Sequence, residues 1–179
     1  NAMVIASPEN KPLSQYPRNI IRAAVKYMQD NGIADTMKIL PEFEFYLFDN
    51  VSWGVEGRYI GASVDAVQSY WNSANDGLGV IVPKQKNYHI AKPFDISYEC
   101  RSEMCMLMKE MGIEINYHHP EVAASGQFEI EPQLGEVVHM ADATMMIKYI
   151  IHNTALKYGK SATFMPKPIY GEAGSGMHV

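Results

Sequence analysis

Two glutamates interrupt an apolar and aromatic stretch at residues 39–49, which reads ILPEFEFYLFD. The composition of this stretch favours a β-strand, and we predict one over residues 36–48. Successive side chains of a strand point to opposite faces of the sheet, so Glu42 and Glu44 share one face, about 6–7 Å apart. A sheet with two neighbouring carboxylates must either leave that face in water or supply a partner for their charge.

A second predicted strand repeats this pattern at residues 125–133, SGQFEIEPQ. Glu121 precedes it, at the turn that joins it to another predicted strand at residues 113–119. Alternation places three polar side chains of the second strand on one face and two apolar side chains on the other: Gln127, Glu129 and Glu131 against Phe128 and Ile130.

The glutamates of these strands have two possible explanations. Four carboxylates near one core repel each other unless protons or cations intervene, and this concerns Glu42, Glu44, Glu121 and Glu129. Cations are favoured, because carboxylate oxygens are the hard ligands that Mg²⁺ and Mn²⁺ prefer. Alternatively, each glutamate faces solvent on an edge strand, as most glutamates do. The pattern leaves both explanations open for Glu42 and Glu44, whereas we predict that Glu131 and Glu136 face solvent.

The rest of the sequence predicts helices that pack on these strands. Apolar residues at helical spacing indicate three helices, at residues 17–31, 97–111 and 136–158, each followed by a glycine. A further strand is predicted at residues 162–166, and residues 50–93 are predicted to have little regular structure. We therefore predict an α+β fold with a curved, mainly antiparallel sheet, part of an open barrel, backed by the three helices. Exposed sheet edges would favour self-association.

Charge and cysteine content narrow the class of protein. The net charge of −5 and the absence of a run of lysines and arginines argue against a nucleic-acid or anionic-membrane surface. No apolar run is long enough for a membrane helix and no signal-peptide pattern opens the chain, so we expect a cytoplasmic protein. Cys100 and Cys105 lie about 140° apart around their predicted helix, and we predict reduced thiols.

Histidines and a glycine-rich loop extend the list of candidate site residues. His118 and His119 adjoin Glu121, and His178 lies at the end of the loop YGEAGSGMH. A single histidine is more often an ordinary surface or core residue than a ligand. The loop glycines would allow a ligand to approach closely, but the loop matches neither a Walker motif nor a dinucleotide-binding motif.

Five segments together resemble the catalytic domain of type I glutamine synthetases: PEFEFYLFD, CRSEMCMLMKEMG, HHPEVAASGQFEI, KYIIHNTALKYGKSATFMPKP and GSGMH. They cover most of residues 36–178, in the order of that family. The resemblance implies an ATP-dependent ligase that joins glutamate and ammonia through γ-glutamyl phosphate, at a site with two Mg²⁺ or Mn²⁺ ions. It also implies a dodecamer-like homo-oligomer with active sites between neighbouring subunits.

The same resemblance implies roles for individual residues. Gly174 resembles the loop glycine that contacts substrate glutamate, and His119 resembles a histidine near the ATP phosphates. Asn116 stands where family members often have a glutamate of the nucleotide site, and Ala173 stands where an asparagine is common. The resemblance further implies two sets of metal ligands: Glu44, Glu121 and Glu129 for the first metal, and Glu42 and His178 for the second.

The resemblance also implies how the chain relates to a whole enzyme. We interpret residues 1–3 as a tag remnant and residues 4–179 as the N-terminal portion of a catalytic domain. The family's small β-rich N-terminal domain is not found in this sequence. Nor is the later segment that supplies the phosphate-binding arginines, a further metal-binding glutamate and the adenylation tyrosine. We therefore expect no appreciable turnover from this chain alone.

Two other functions are compatible with the sequence. One is a relative that ligates glutamate to an amine or polyamine, with the same metal site and a different acceptor pocket. The other is a non-catalytic relative that keeps the fold for assembly or regulation. The retained carboxylates argue against the second, because a lost activity gives no reason to keep mutually repelling charges together.

Overall fold

A four-stranded antiparallel sheet forms the centre of the computed structural model, which describes residues 12–73, 79–124 and 126–179. Its strands are β5 (Ile115–Pro120), β6 (Gln127–Pro132), β2 (Phe43–Phe48) and β8 (Ser161–Thr163), in that order across the sheet. The interpretation of residues 1–3 as a tag remnant lies outside the described residues. Within them the sheet does not close into a barrel, and the predicted α+β fold with an antiparallel sheet is confirmed.

One face of this sheet packs against two helices. The helices are α2 (Tyr98–Glu110) and α3 (Val137–Lys157), and α1 (Pro17–Asp30) lies outside α3. All three agree with the predicted helices to within one residue at each end. The glycine that follows each helix has a positive φ, which a residue without a Cβ adopts without strain: 62° at Gly32, 79° at Gly112 and 68° at Gly159.

The core between sheet and helices contains the apolar side chains that alternation assigned to one face. Phe128 and Ile130 of β6 lie there, as predicted, beside Phe43, Phe45 and Leu47 of β2. A buried ion pair closes the core at the start of α2, where Arg101 Nη1 and Nη2 lie 2.9 and 2.5 Å from the carboxylate oxygens of Asp95. The sheet therefore presents its polar face away from α2 and α3.

The prediction of one continuous strand over residues 36–48 is wrong, because the structure has two strands there. Lys38–Ile39 form a short strand, β1, which pairs with β7 (Gly135–Glu136), and β2 begins only at Phe43. Pro41 lies in the interruption, where its missing N–H would be lost from a continuous ladder. Glu136 is exposed, as predicted, and its carboxylate caps α3 by accepting from the N–H groups of Val138 and His139.

The prediction of little regular structure over residues 50–93 is wrong for its first part. Asn50–Glu56 (β3) and Tyr59–Asp65 (β4) form a regular antiparallel hairpin apart from the central sheet. Two of the glycines in this segment, Gly54 and Gly61, lie under the ring of Tyr59, and a Cβ at Gly54 would come within 3.3 Å of it. Glycine is used here for close packing inside a strand rather than to end one.

Two further expectations concern the cysteines and membrane segments. Cys100 is buried and Cys105 is half-buried, and both are free thiols, as predicted. Burial raises the pKa of each thiol to about 11. None of the helices among the described residues has the length and apolar character needed to cross a bilayer.

Candidate metal centre

Three adjacent strands place acidic and imidazole side chains in one row on the polar face of the sheet. In the ladder between β2 and β6, Glu44 lies opposite Glu129. In the ladder between β5 and β6, His119 lies opposite the same Glu129. Residues opposite each other in an antiparallel pair have Cβ atoms about 4.5–5.5 Å apart, so this register alone brings the three side chains together.

Glu121 joins this row from the turn after β5. Its N–H donates to the carbonyl of Gln127 over 2.8 Å, which fixes the residue at the start of β6. His119 Nδ1 lies 3.7 Å from Glu121 Oε1, and His119 Nε2 lies 3.7 Å from Glu129 Oε2. One ligand atom from each of these three residues falls within 4.8 Å of the other two, which suits a single cation.

A second group of carboxylates adjoins the first and shares Glu129 with it. Ligand atoms of Glu42, Glu129 and Glu131 also lie within 4.8 Å of one another. His178 extends this group from the glycine loop, with Nδ1 2.9 Å from Glu42 Oε2. The backbone agrees with this contact, since the Glu42 N–H donates to the His178 carbonyl over 2.9 Å.

The prediction that Glu131 faces solvent is wrong. Its side chain is buried and accepts hydrogen bonds from Asn116 Nδ2, over 2.9 Å, and from the Tyr117 hydroxyl. Alternation correctly put Glu131 on the same face as Glu129. That face is covered by neighbouring polar side chains instead of by water, so burial here does not follow the apolar pattern.

Electrostatics in the cluster favour a cation. Burial, and then the carboxylate of Glu121, raise the pKa of Glu129 to about 8, with further contributions from Glu42 and Glu44. Its hydrogen bond to Glu42 raises the pKa of His178. Among the described residues, neither lysine nor arginine forms an ion pair with Glu42, Glu44, Glu121 or Glu129. Because its oxygens converge without a lysine or arginine partner among the described residues, this donor set fits Mg²⁺ or Mn²⁺.

The geometry of the His119 imidazole also fits a divalent cation in this cluster. Nδ1 lies 3.0 Å from the carbonyl of Pro120, which can only accept, so Nδ1 carries a proton and donates. Nε2 is then directed toward Glu129. The His119 ring also contacts aromatic rings, with centroids 4.2 Å from His89 and 5.8 Å from Tyr117.

His118 does not belong to the acidic cluster, although it is next to His119 in sequence. It lies on the opposite face of β5, where its Nδ1 accepts from Arg101 Nε over 3.3 Å. Burial, and then the charge of Arg101, lower the pKa of His118 to about 4. This histidine is therefore a neutral packing residue, the ordinary role that the sequence also allowed.

The glycine-rich loop lies directly against the carboxylates. A Cβ at Gly176 would come within 3.3 Å of Glu44 Oε1, and a Cβ at Gly174 would come within 2.7 Å of the Pro166 carbonyl. A cavity of about 210 Å³ opens beside the loop, with Glu44 and Lys148 among its lining residues. Lys148 and Gln127 are site neighbours that sequence reasoning did not select, because an isolated lysine and a strand glutamine have no distinctive spacing.

Comparison with known proteins identifies the class to which this fold and site belong. The family model described as "Glutamine synthetase, catalytic domain" matches residues 14–179. The chain belongs to the glutamine synthetase catalytic-domain family, which confirms the resemblance seen in the sequence.

Individual relatives agree with this assignment. The chain is 42% identical over 167 residues to a glutamine synthetase of Vibrio cholerae, covering 91% of this chain and 36% of that protein. It is 39% identical over 180 residues to a 3-hydroxylaminophenol mutase of Cupriavidus pinatubonensis, covering 98% of this chain and 38% of the relative. The chain thus spans little more than a third of the length of these relatives.

Solved structures give the same fold. A cryo-electron microscopy structure of Plasmodium falciparum glutamine synthetase matches with a TM-score of 0.86 and 26% identity, over 97% of this chain and 35% of that one. A glutamine synthase homolog matches with a TM-score of 0.64 at 17% identity, which supports the fold alone.

Proposed function

We propose that this chain supplies the metal-binding core of an ATP-dependent glutamate–ammonia ligase, which forms glutamine through γ-glutamyl phosphate. One observation carries the proposal: carboxylates from β2, β6 and the turn after β5 converge around Glu129 with no lysine or arginine paired to them among the described residues. Family membership narrows the chemistry that such a cluster serves. The chain spans 36–38% of the length of the relatives described above. We therefore propose, by similarity, the substrates, partners and turnover of the whole protein.

The proposed ligands divide into two neighbouring sets. Glu44, Glu121 and Glu129 would hold the first divalent cation, and Glu42 and His178 would contribute to the second. These residues would hold Mg²⁺ or Mn²⁺, which would supply positive charge to neutralise and align the phosphates of ATP. The carboxylates themselves act as holders of charge, because their crowding keeps them from being independent acids or bases.

Other residues of the chain would position the substrates. Gly174 would contact the substrate glutamate, and Gly176 places a residue without a side chain beside Glu44, which leaves room for the substrate to approach. His119 would face the ATP phosphates from the nucleotide side. We propose that the whole protein is a cytoplasmic homo-oligomer with active sites between subunits. This chain alone would lack appreciable turnover.

A second candidate is a ligase that uses an amine or polyamine instead of ammonia. The observation that favours it is Asn116, whose amide donates to Glu131 at a position where family members often have a glutamate. Ala173, in the glycine loop, is the second departure. Both leave the metal ligands intact and change the surroundings of the substrates.

The proposal is tested with the full-length parent protein, ATP and glutamate, by measuring ADP release with ammonia and with a panel of amines. We expect ammonia-dependent ADP release and glutamine formation. Glu129→Gln should abolish turnover, whereas Glu110→Gln, an exposed change at the end of α2, should leave it unchanged. Release that requires an amine and not ammonia would favour the second candidate, and no release with any acceptor would contradict both.

A further inference from the structure

Gln127 is a fully buried amide that lies between a proposed metal ligand and the glycine loop. Its Nε2 lies 3.2 Å from Glu44 Oε2, 2.8 Å from the Gly174 carbonyl and 3.4 Å from Ser175 Oγ. Its Oε1 accepts from the Ala123 N–H over 3.2 Å. One side chain therefore contacts β2, the loop and the turn before β6.

The orientation of this amide follows from its partners. A carboxylate and a carbonyl can only accept, and a backbone N–H can only donate. With Nε2 toward Glu44 and Gly174, all three contacts are satisfied. Turning the amide over would direct Oε1 at two acceptors and Nε2 at a donor, in a site without water access, and would leave buried polar groups unpaired.

The same contact determines which oxygen of Glu44 is available. Oε2 accepts from Gln127, whereas Oε1 has no hydrogen-bond donor among the described residues and faces Gly176. Glutamine at position 127 thus fixes the carboxylate with one oxygen directed toward the loop. Hydrogen-bonded partners of this kind commonly set the orientation of a metal ligand.

Two side chains of the central sheet hold the loop by hydrogen bonds to two consecutive carbonyls. The Tyr46 hydroxyl donates to the Ala173 carbonyl, and Gln127 donates to the next one, that of Gly174. The Ser175 N–H donates to the Pro166 carbonyl over 2.8 Å. Of these three contacts, the one made by Gln127 also touches a proposed metal ligand, Glu44, and so connects that ligand to loop residues 173–176.

We infer that Gln127 is a positioning residue that couples cation binding at Glu44 to the observed position of loop residues 173–176. This inference rests on the proposed function, because it requires that the cluster bind a divalent cation. A cation that holds Glu44 in place favours the contact with Gln127, and this contact holds the Gly174 carbonyl. The coupling is reciprocal, so holding the loop in this position raises cation affinity by the same factor.

The test compares wild type with Gln127→Met, which keeps the approximate volume of the side chain and removes its donors. Free Mn²⁺ is followed by electron paramagnetic resonance, and amide hydrogen exchange is followed at residues 173–177 with and without Mn²⁺. Wild type should show slower exchange in the loop when Mn²⁺ is bound. Gln127→Met should bind Mn²⁺ about 10–100-fold more weakly, and loop exchange should no longer respond to saturating Mn²⁺.

A matched control uses a half-buried amide that bridges two carbonyls away from the cluster. Gln68 Nε2 donates to the carbonyls of Val80 and Phe94 over 3.0 and 2.7 Å, and Gln68→Met should leave Mn²⁺ affinity and loop response unchanged. Gln127→Leu provides a second variant, because it removes the donor to Glu44 and Gly174 together with the acceptor for Ala123. It should show the same loss of coupling.

Three results separate the possibilities. Mn²⁺ affinity within twofold of wild type in folded Gln127→Met or Gln127→Leu, or a preserved loop response, would overturn the inference. A lower melting temperature with unchanged Mn²⁺ affinity would also overturn it, because that is the effect of a purely structural residue. Absence of Mn²⁺ binding to the wild-type cluster would instead refute the proposed metal centre.

Discussion

Cation binding by the cluster should depend steeply on pH below 8. The pKa of Glu129 is raised to about 8, so at neutral pH this carboxyl carries a proton that a metal ion must displace. For one such ligand the apparent dissociation constant scales as 1 + 10^(pKa − pH), which gives factors of about 2 at pH 8, about 11 at pH 7 and about 101 at pH 6. Mn²⁺ affinity should therefore fall about fivefold from pH 8 to pH 7 and about ninefold more by pH 6.

Isothermal titration calorimetry measures both consequences. Titrations at pH 6, 7 and 8 give the affinities, and titrations in two buffers of different ionisation enthalpy give the protons released, about 0.9 per Mn²⁺ at pH 7. Glu129→Gln should bind more weakly and lose most of the pH dependence. His178, whose pKa is also raised, acts in the same direction, and His178→Gln removes its share. Equal affinity at pH 6 and pH 8, or no proton release, would refute the electrostatic reasoning.

Three further predictions concern stability and association. Without metal, the free energy of unfolding should fall as pH rises from about 4.5 to about 8, because only the folded state keeps Glu129 protonated in this range. Urea titrations measure this dependence, and Glu129→Gln should flatten it. Asp95→Ala should cost about 3–5 kcal/mol in the same assay, since it leaves the buried Arg101 charge unpaired, and a cost below 1 kcal/mol would contradict this. The side chains of Trp53 and Ile60 are 77% and 81% exposed on one apolar face of the β3–β4 hairpin. The double change Trp53→Ser, Ile60→Ser should therefore reduce self-association in analytical ultracentrifugation. An unchanged sedimentation profile would contradict this prediction.

The sequence predicted those parts of the fold that depend on local periodicity. The helices follow from apolar spacing and from glycines that end them, and β6 follows from strict alternation between Phe128, Ile130 and their polar neighbours. The hairpin was missed because Gly54 and Gly61 are usually breakers, and their packing under Tyr59 depends on a cross-strand contact. Periodicity alone cannot show such a contact.

The site was partly predictable for the same reason. Spacing by two indicated that Glu42 and Glu44 share a face, but the position of Glu129 opposite Glu44 is a matter of register between distant strands. The burial of Glu131 depends on donors from Asn116 and Tyr117, which hydropathy does not report. Which carboxylates act together is a proposal that rests on the family resemblance and not on spacing.

The central claim is that Glu44, Glu121 and Glu129 hold a divalent cation. Crystals of this chain grown with Mn²⁺ and measured with anomalous scattering test it most directly, with Glu129→Gln crystals as the control. We expect a manganese peak in wild type bound by oxygens of these three residues, at about 2.0–2.2 Å for an oxygen-ligated cation of this kind, and no such peak in the variant. Wild-type crystals saturated with Mn²⁺ that show no peak between these carboxylates, or a peak only at other residues, would contradict the account.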